Sequence, residues 1–139
     1  MFPINYIRMQ AKYVAYCFCM SAVDGFDSDD FAEKLMTSDY GVRVLTDQKM
    51  IEFSDCTFLY DGLKRNLVFQ KGFSYDEDVL QLTGYLYKYW ISTRQMHPIE
   101  IYCIAPIRVI ADRYGFYHTQ DIDYVINDLI ERRSVVDEK

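Results

Sequence analysis

The sequence has no phosphate-cradling glycine motif. Neither GxxxxGK[ST] nor GxGxxG occurs, so the backbone nest that such loops present to a nucleotide is missing. Basic charge is also in short supply. Lys and Arg number 15 against 21 Asp and Glu, a formal charge of −6, which favours solubility and repels nucleic-acid backbones. The two histidines, His97 and His118, are separated by no standard zinc spacing. The four cysteines do not make a disulfide framework either, because a chain of this length and apolar content can bury a core without one. Cys17 and Cys19 lie two apart on an expected helix, about 200° around its axis, so they cannot hold one metal together. Free thiols and no metal or cofactor are expected.

Long apolar runs are missing too. "YVAYCFCMSAV" follows Arg8 and Lys12 as a signal-peptide core would, but its aromatics and cysteines suit that role poorly and it is too short to span a bilayer. A cytoplasmic protein, with no membrane and no nucleic acid among its partners, is the expectation.

What the chain does have is apolar and aromatic content: 50% hydrophobic, 17% aromatic, with 13 tyrosines. Its length fits one domain over residues 1–139. Residues 4–22 are nearly all apolar, aromatic or small, without Gly or Pro, and predict a long N-terminal helix buried on most sides. In "GFDSDDFAEKLMTS", Asp27 or Ser28 caps a second helix that runs to about Ser38, with Phe31, Leu35 and Met36 on one face. Residues 40–55 stay ambiguous, since "VRVL" and "MIEF" read equally as strands. Phe58, Leu59, Leu63 and Leu67 predict a helix capped by Ser54 or Asp55.

Val79, Leu82, Leu86, Tyr89 and Trp90 define a long helix in which Gly84 costs about 1 kcal/mol relative to Ala, a cost that close approach of a second helix would offset. Pro98 and Pro106 suit the first turns of two short helices meeting at Ala105, with Gly115 as a C-terminal cap. Thr119 is placed as N-cap of a last helix carrying Ile122, Val125, Ile126, Leu129 and Ile130, which puts His118 just before the cap. The whole predicts an all-α, single-domain bundle of about six helices.

Chemistry-bearing constellations are few. Cys103 as nucleophile with His118 as base is one, but no elbow turn, oxyanion loop or orienting residue accompanies the pair. Asp24, Asp27, Asp29 and Asp30 have a superficial likeness to a calcium loop, yet the bidentate Glu and internal Gly are missing, and capping explains them. "YLYKYW" stands out more. Tyr85, Tyr87, Tyr89 and Trp90 point in several directions around one helix, so some should be exposed or meet another chain. The alternative is tyrosine used at the core rim.

"MQAK", "FAEKLMTS", "LTGYLYKYW", "API" and "YGFYHTQD" together resemble a group of small bacterial proteins of uncharacterised activity. The resemblance implies an all-helical cytoplasmic protein, often encoded beside predicted ADP-ribosyltransferase-like toxins. It implies no catalytic residue.

The expectation is therefore a non-enzymatic protein that binds another protein, as the antitoxin or accessory component of a toxin pair. Tyr87, Trp90, Tyr117 and His118 are the expected contacts, and self-association stays open. Two alternatives remain: a small enzyme using Cys103 and His118, and an acidic decoy that mimics nucleic acid.

Overall fold

A computed structural model describes residues 3–47 and 55–138, with side chains to 133. The described residues form nine helices and no strand. They are α1 (Ile4–Val23), α2 (Ser28–Thr37), α3 (Asp39–Thr46), α4 (Cys56–Asn66), α5 (Glu77–Arg94), α6 (Pro98–Ile104), α7 (Ile107–Asp112), α8 (Tyr114–Tyr117) and α9 (Ile122–Glu138). The all-α class and the long N-terminal helix agree with expectation; the number of helices exceeds the expected six. None is long and apolar enough to cross a membrane among the described residues.

The architecture is built on α1 and α5, which pack along each other more extensively than any other pair. Gly84 makes this possible. A Cβ at that position would lie 2.7 Å from Ala15 Cα and 2.8 Å from the Val14 carbonyl oxygen, so the two backbones approach as only glycine permits. Around this pair, α2 and α4 cover α1, while α3, α6, α7 and α9 contact α5. Buried side chains from all nine helices merge into one apolar cluster, in which Phe18, Phe31 and Tyr87 are ring partners, with Phe18 centred 5.0 Å from Phe31 and 5.9 Å from Tyr87.

Local chemistry sets most boundaries. Asp27 caps α2 by accepting from the Asp30 N–H, and Asp55 caps α4 by accepting from the Phe58 N–H at 2.7 Å. "VRVL" is helical. Ser38 ends α2 and caps α3 through the Gly41 N–H, and Val44 and Leu45 turn inward. The β-branched residues that suggested a strand are overridden by this cap and by burial against α2 and α5. "MIEF" and Ser54 lie outside the described residues.

Two boundaries near the C-terminal end are corrected. Gly115 does not cap a helix but lies inside α8, where nothing crowds it. Thr119 sits in a turn, its hydroxyl donating to the Phe116 carbonyl, and α9 begins only at Ile122. His118 consequently ends α8 rather than preceding the cap of α9.

The acidic cluster holds a loop in place. Residues 67–76 run back over the α1–α2 turn, where Gly25 adopts φ +79°. Asp30 accepts from the Gln70 N–H at 2.7 Å and pairs with Lys34, and Asp24 accepts from the Tyr60 hydroxyl at 2.6 Å and pairs with Lys64. The backbone joins in, with Asp27 N–H donating to the Gln70 carbonyl and Ser28 N–H to that of Phe73. These carboxylates are committed to intramolecular bonds.

Candidate functional site

Four tyrosines, Tyr60, Tyr87, Tyr89 and Tyr117, are buried and keep a polar tip. Tyr87 is buried, and its hydroxyl donates to the Ala105 carbonyl at 2.6 Å. Tyr89 reaches Asp123 at 3.1 Å, and Tyr117 reaches Asp128 at 2.6 Å. Burial raises the pKa of Tyr117, reinforced by the hydrogen bond to Asp128. Burial acts to raise that of Asp128 as well, but the bonds it accepts from Tyr117 and Arg132 outweigh it and leave the carboxyl below its ordinary value.

Three of the four expected contacts are thereby corrected. Trp90 and Tyr87 are 0% exposed and Tyr117 is buried, so none can meet a partner on the folded chain. The expectation that "YLYKYW" could not face one core assumed a helix with a solvent side. α5 is instead wrapped by α1, α3, α6, α7 and α9, and nearly every direction around its second half is interior.

His118 is different, because it is exposed. Its ring stacks on Tyr114 with centroids 5.0 Å apart, and Nδ1 lies 2.8 Å from the Tyr114 carbonyl oxygen. A carbonyl only accepts, so Nδ1 must carry the proton, which leaves Nε2 as the lone-pair nitrogen of the neutral ring. Beside it, Asp78, Gln81, Leu82, Tyr85 and Tyr114 complete the lining of a cleft of about 240 Å³. Cys103 stands exposed on α6 and is not part of that lining. The nucleophile and base of the enzyme alternative therefore share no pocket there.

Phe116 and Tyr124 form a separate exposed pair. They are 48% and 46% exposed and meet edge to face with centroids 6.0 Å apart. Sequence reading placed contacts at the neighbouring Tyr117 and His118 but missed these two. The helical offset between Tyr124 and the buried pair Val125 and Ile126 was the available signal.

A second locality carried no signal of function in the sequence. Lys88, within "YLYKYW", is 0% exposed, and its Nζ donates to the Leu45 carbonyl at 2.6 Å, at the C-terminal end of α3. Burial lowers its pKa to about 8, with the charge of Asp47 acting in the opposite direction. Lys88 lines a cavity of about 310 Å³ with Ser92, Gln95, Met96 and His97. His97 caps α6, with Nδ1 accepting from the Ile99 N–H.

Among the described residues, no group of three or more His, Cys, Asp or Glu is placed to hold a metal ion. Burial pushes the Cys17 thiol well above its ordinary value, which makes it unreactive. Compared with known proteins, the chain matches no family, no curated protein and no solved structure.

Proposed function

We propose that the protein works by binding another protein through the surface formed by the exposed rings of Phe116 and Tyr124. The exposed edge-to-face pair Phe116 and Tyr124 carries this reading. Stiff rings with little rotamer entropy to lose are favoured anchors at interfaces. Phe58, Val68 and Phe73 are also exposed, but among the described residues Phe116 and Tyr124 are the exposed rings that meet each other. The charge of −6 suits a partner with a basic face. The resemblance to small bacterial proteins supplies the class of partner: a neighbour-encoded ADP-ribosyltransferase-like toxin, with this chain as its antitoxin or accessory component.

The test is co-expression of the tagged chain with its neighbour-encoded protein, alongside a variant carrying Phe116→Ala and Tyr124→Ala. Both residues are half exposed, so the variant should keep its circular dichroism spectrum. Co-purification with the wild type and its loss in the variant are the expected results. Equal capture by both would remove the surface, and no capture by the wild type would remove the partner.

A further inference from the structure

We propose that the cleft lined by Arg113, Arg132 and Arg133, where α6, α7 and α9 meet, binds the dianionic head of a small phosphate monoester. The cleft shares no residue with the Phe116 and Tyr124 pair, so it stands or falls separately from the binding function proposed above.

One hydroxyl and one carboxylate hold two guanidiniums together. The hydroxyl of buried Tyr117 donates to Asp128 at 2.6 Å and accepts from Arg113 Nη1 at 3.4 Å. Asp128 accepts in turn from Arg132 Nε at 2.8 Å. By itself the Asp128–Arg132 pair, four residues apart on α9, would be an ordinary helix-surface contact. Through Tyr117 it also holds Arg113, from the end of α7, beside the same carboxylate. One carboxylate balances one of these two guanidiniums, and Arg133 brings a third cation to the lining. Each guanidinium has five N–H donors, and the bonds above take one from Arg113 and one from Arg132, which leaves donors for an anion. The groups are open to it: the Arg132 side chain is 54% exposed, Arg133 is exposed and Arg113 is half-buried.

The charge and size of the ligand follow from the lining. Among the described residues no Asp or Glu lines the cleft, and Asp112 and Glu131, beside Arg113 and Arg132 in sequence, are exposed outside that lining. Gathered cations repel one another. A phosphate monoester carries about −1.5 to −2 charges at pH 7 and three acceptor oxygens, so it can meet more than one guanidinium fork at once. A carboxylate brings a single charge. The volume of about 150 Å³ lies below the roughly 300 Å³ at which sites for whole ligands begin, so the cleft takes a head group and leaves the body of the ligand outside. Ile104, Val109 and Leu129 complete the lining as an apolar wall for the carbon next to the ester oxygen. The net charge of −6 disfavours long polyanions, which commits the site to a small molecule.

The experiment titrates the full chain with phenyl phosphate, inorganic phosphate, benzoate and phenol, reading affinity by calorimetry and thermal shift. Arg113→Gln and Arg132→Gln are compared with wild type after circular dichroism, with Arg65→Gln, an exposed arginine of α4, as control for general charge. Phenyl phosphate should bind and raise the Tm, inorganic phosphate should bind more weakly, and benzoate and phenol should bind least. Arg113→Gln and Arg132→Gln should each weaken binding of the ester about tenfold or more, as expected for losing a charge-assisted hydrogen bond, and Arg65→Gln should leave it unchanged. Arg132 is exposed enough that its variant decides the matter if Arg113→Gln does not fold. Absence of phenyl phosphate binding at millimolar concentration overturns the proposal. So does benzoate or inorganic phosphate binding as tightly as the ester, or ester binding that Arg132→Gln weakens no more than Arg65→Gln.

Discussion

Replacing Gly84 with Ala tests the central contact of the fold, and two opposing effects decide its sign. In the interior of α5 the substitution improves intrinsic helix propensity by about 1 kcal/mol. Against this, the new methyl would lie 2.7 Å from Ala15 Cα, 2.8 Å from the Val14 carbonyl oxygen and 2.8 Å from Phe18 Cδ1. Carbon atoms prefer about 3.5 to 4.0 Å, so α1 and α5 must separate by an appreciable part of an ångström. Two of the three atoms are backbone and cannot rotate away. Overpacking costs about 1 to 3 kcal/mol, and here the upper end applies.

The net expectation is a loss of about 2 kcal/mol. For a chain of this size that corresponds to a fall in Tm of roughly 5 to 10 °C, or a urea midpoint lower by about 1 M. Unfolding followed by circular dichroism and by Trp90 fluorescence measures it, with Gly115→Ala as control, since a methyl there meets nothing within 4 Å. If Gly84→Ala proved as stable as wild type, close approach of α1 and α5 would not be what holds glycine at this position.

Lys88→Met should alter the pH dependence of stability in one direction. The folded pKa, about 8, lies below the ordinary 10.5, so between these values the unfolded chain binds more protons and stability rises with pH. Wild type should gain about 2 kcal/mol relative to Lys88→Met between about pH 7.5 and pH 10, as read from urea midpoints; an unchanged difference would mean that Lys88 is well solvated. Asp27→Ala removes the cap of α2 and should lower stability by about 1 kcal/mol, with amide exchange quickening first at Asp30. A variant as stable as wild type would leave the carboxylate no capping role.

Local chemistry in the sequence determined a large part of this protein. Apolar periodicity placed α1, α2, α4 and α5, a single carboxylate capped α2 and α4, and Gly84 implied a close helix neighbour before that neighbour was identified. These features depend on residues at most a few positions apart, so the chain carries them without reference to its fold. The tertiary structure decided what no local pattern encodes. It turned the β-branched "VRVL" into α3 by burying Val44 and Leu45, and it made α5 interior by surrounding it. That second decision moved Tyr87 and Trp90 from expected contacts to core, placed a lysine where its charge is unfavourable, and left Phe116 and Tyr124 as the exposed aromatic pair. Whether a ring on a helix is covered depends on how many neighbours pack around that helix, a property of the assembled chain that periodicity along one segment does not contain.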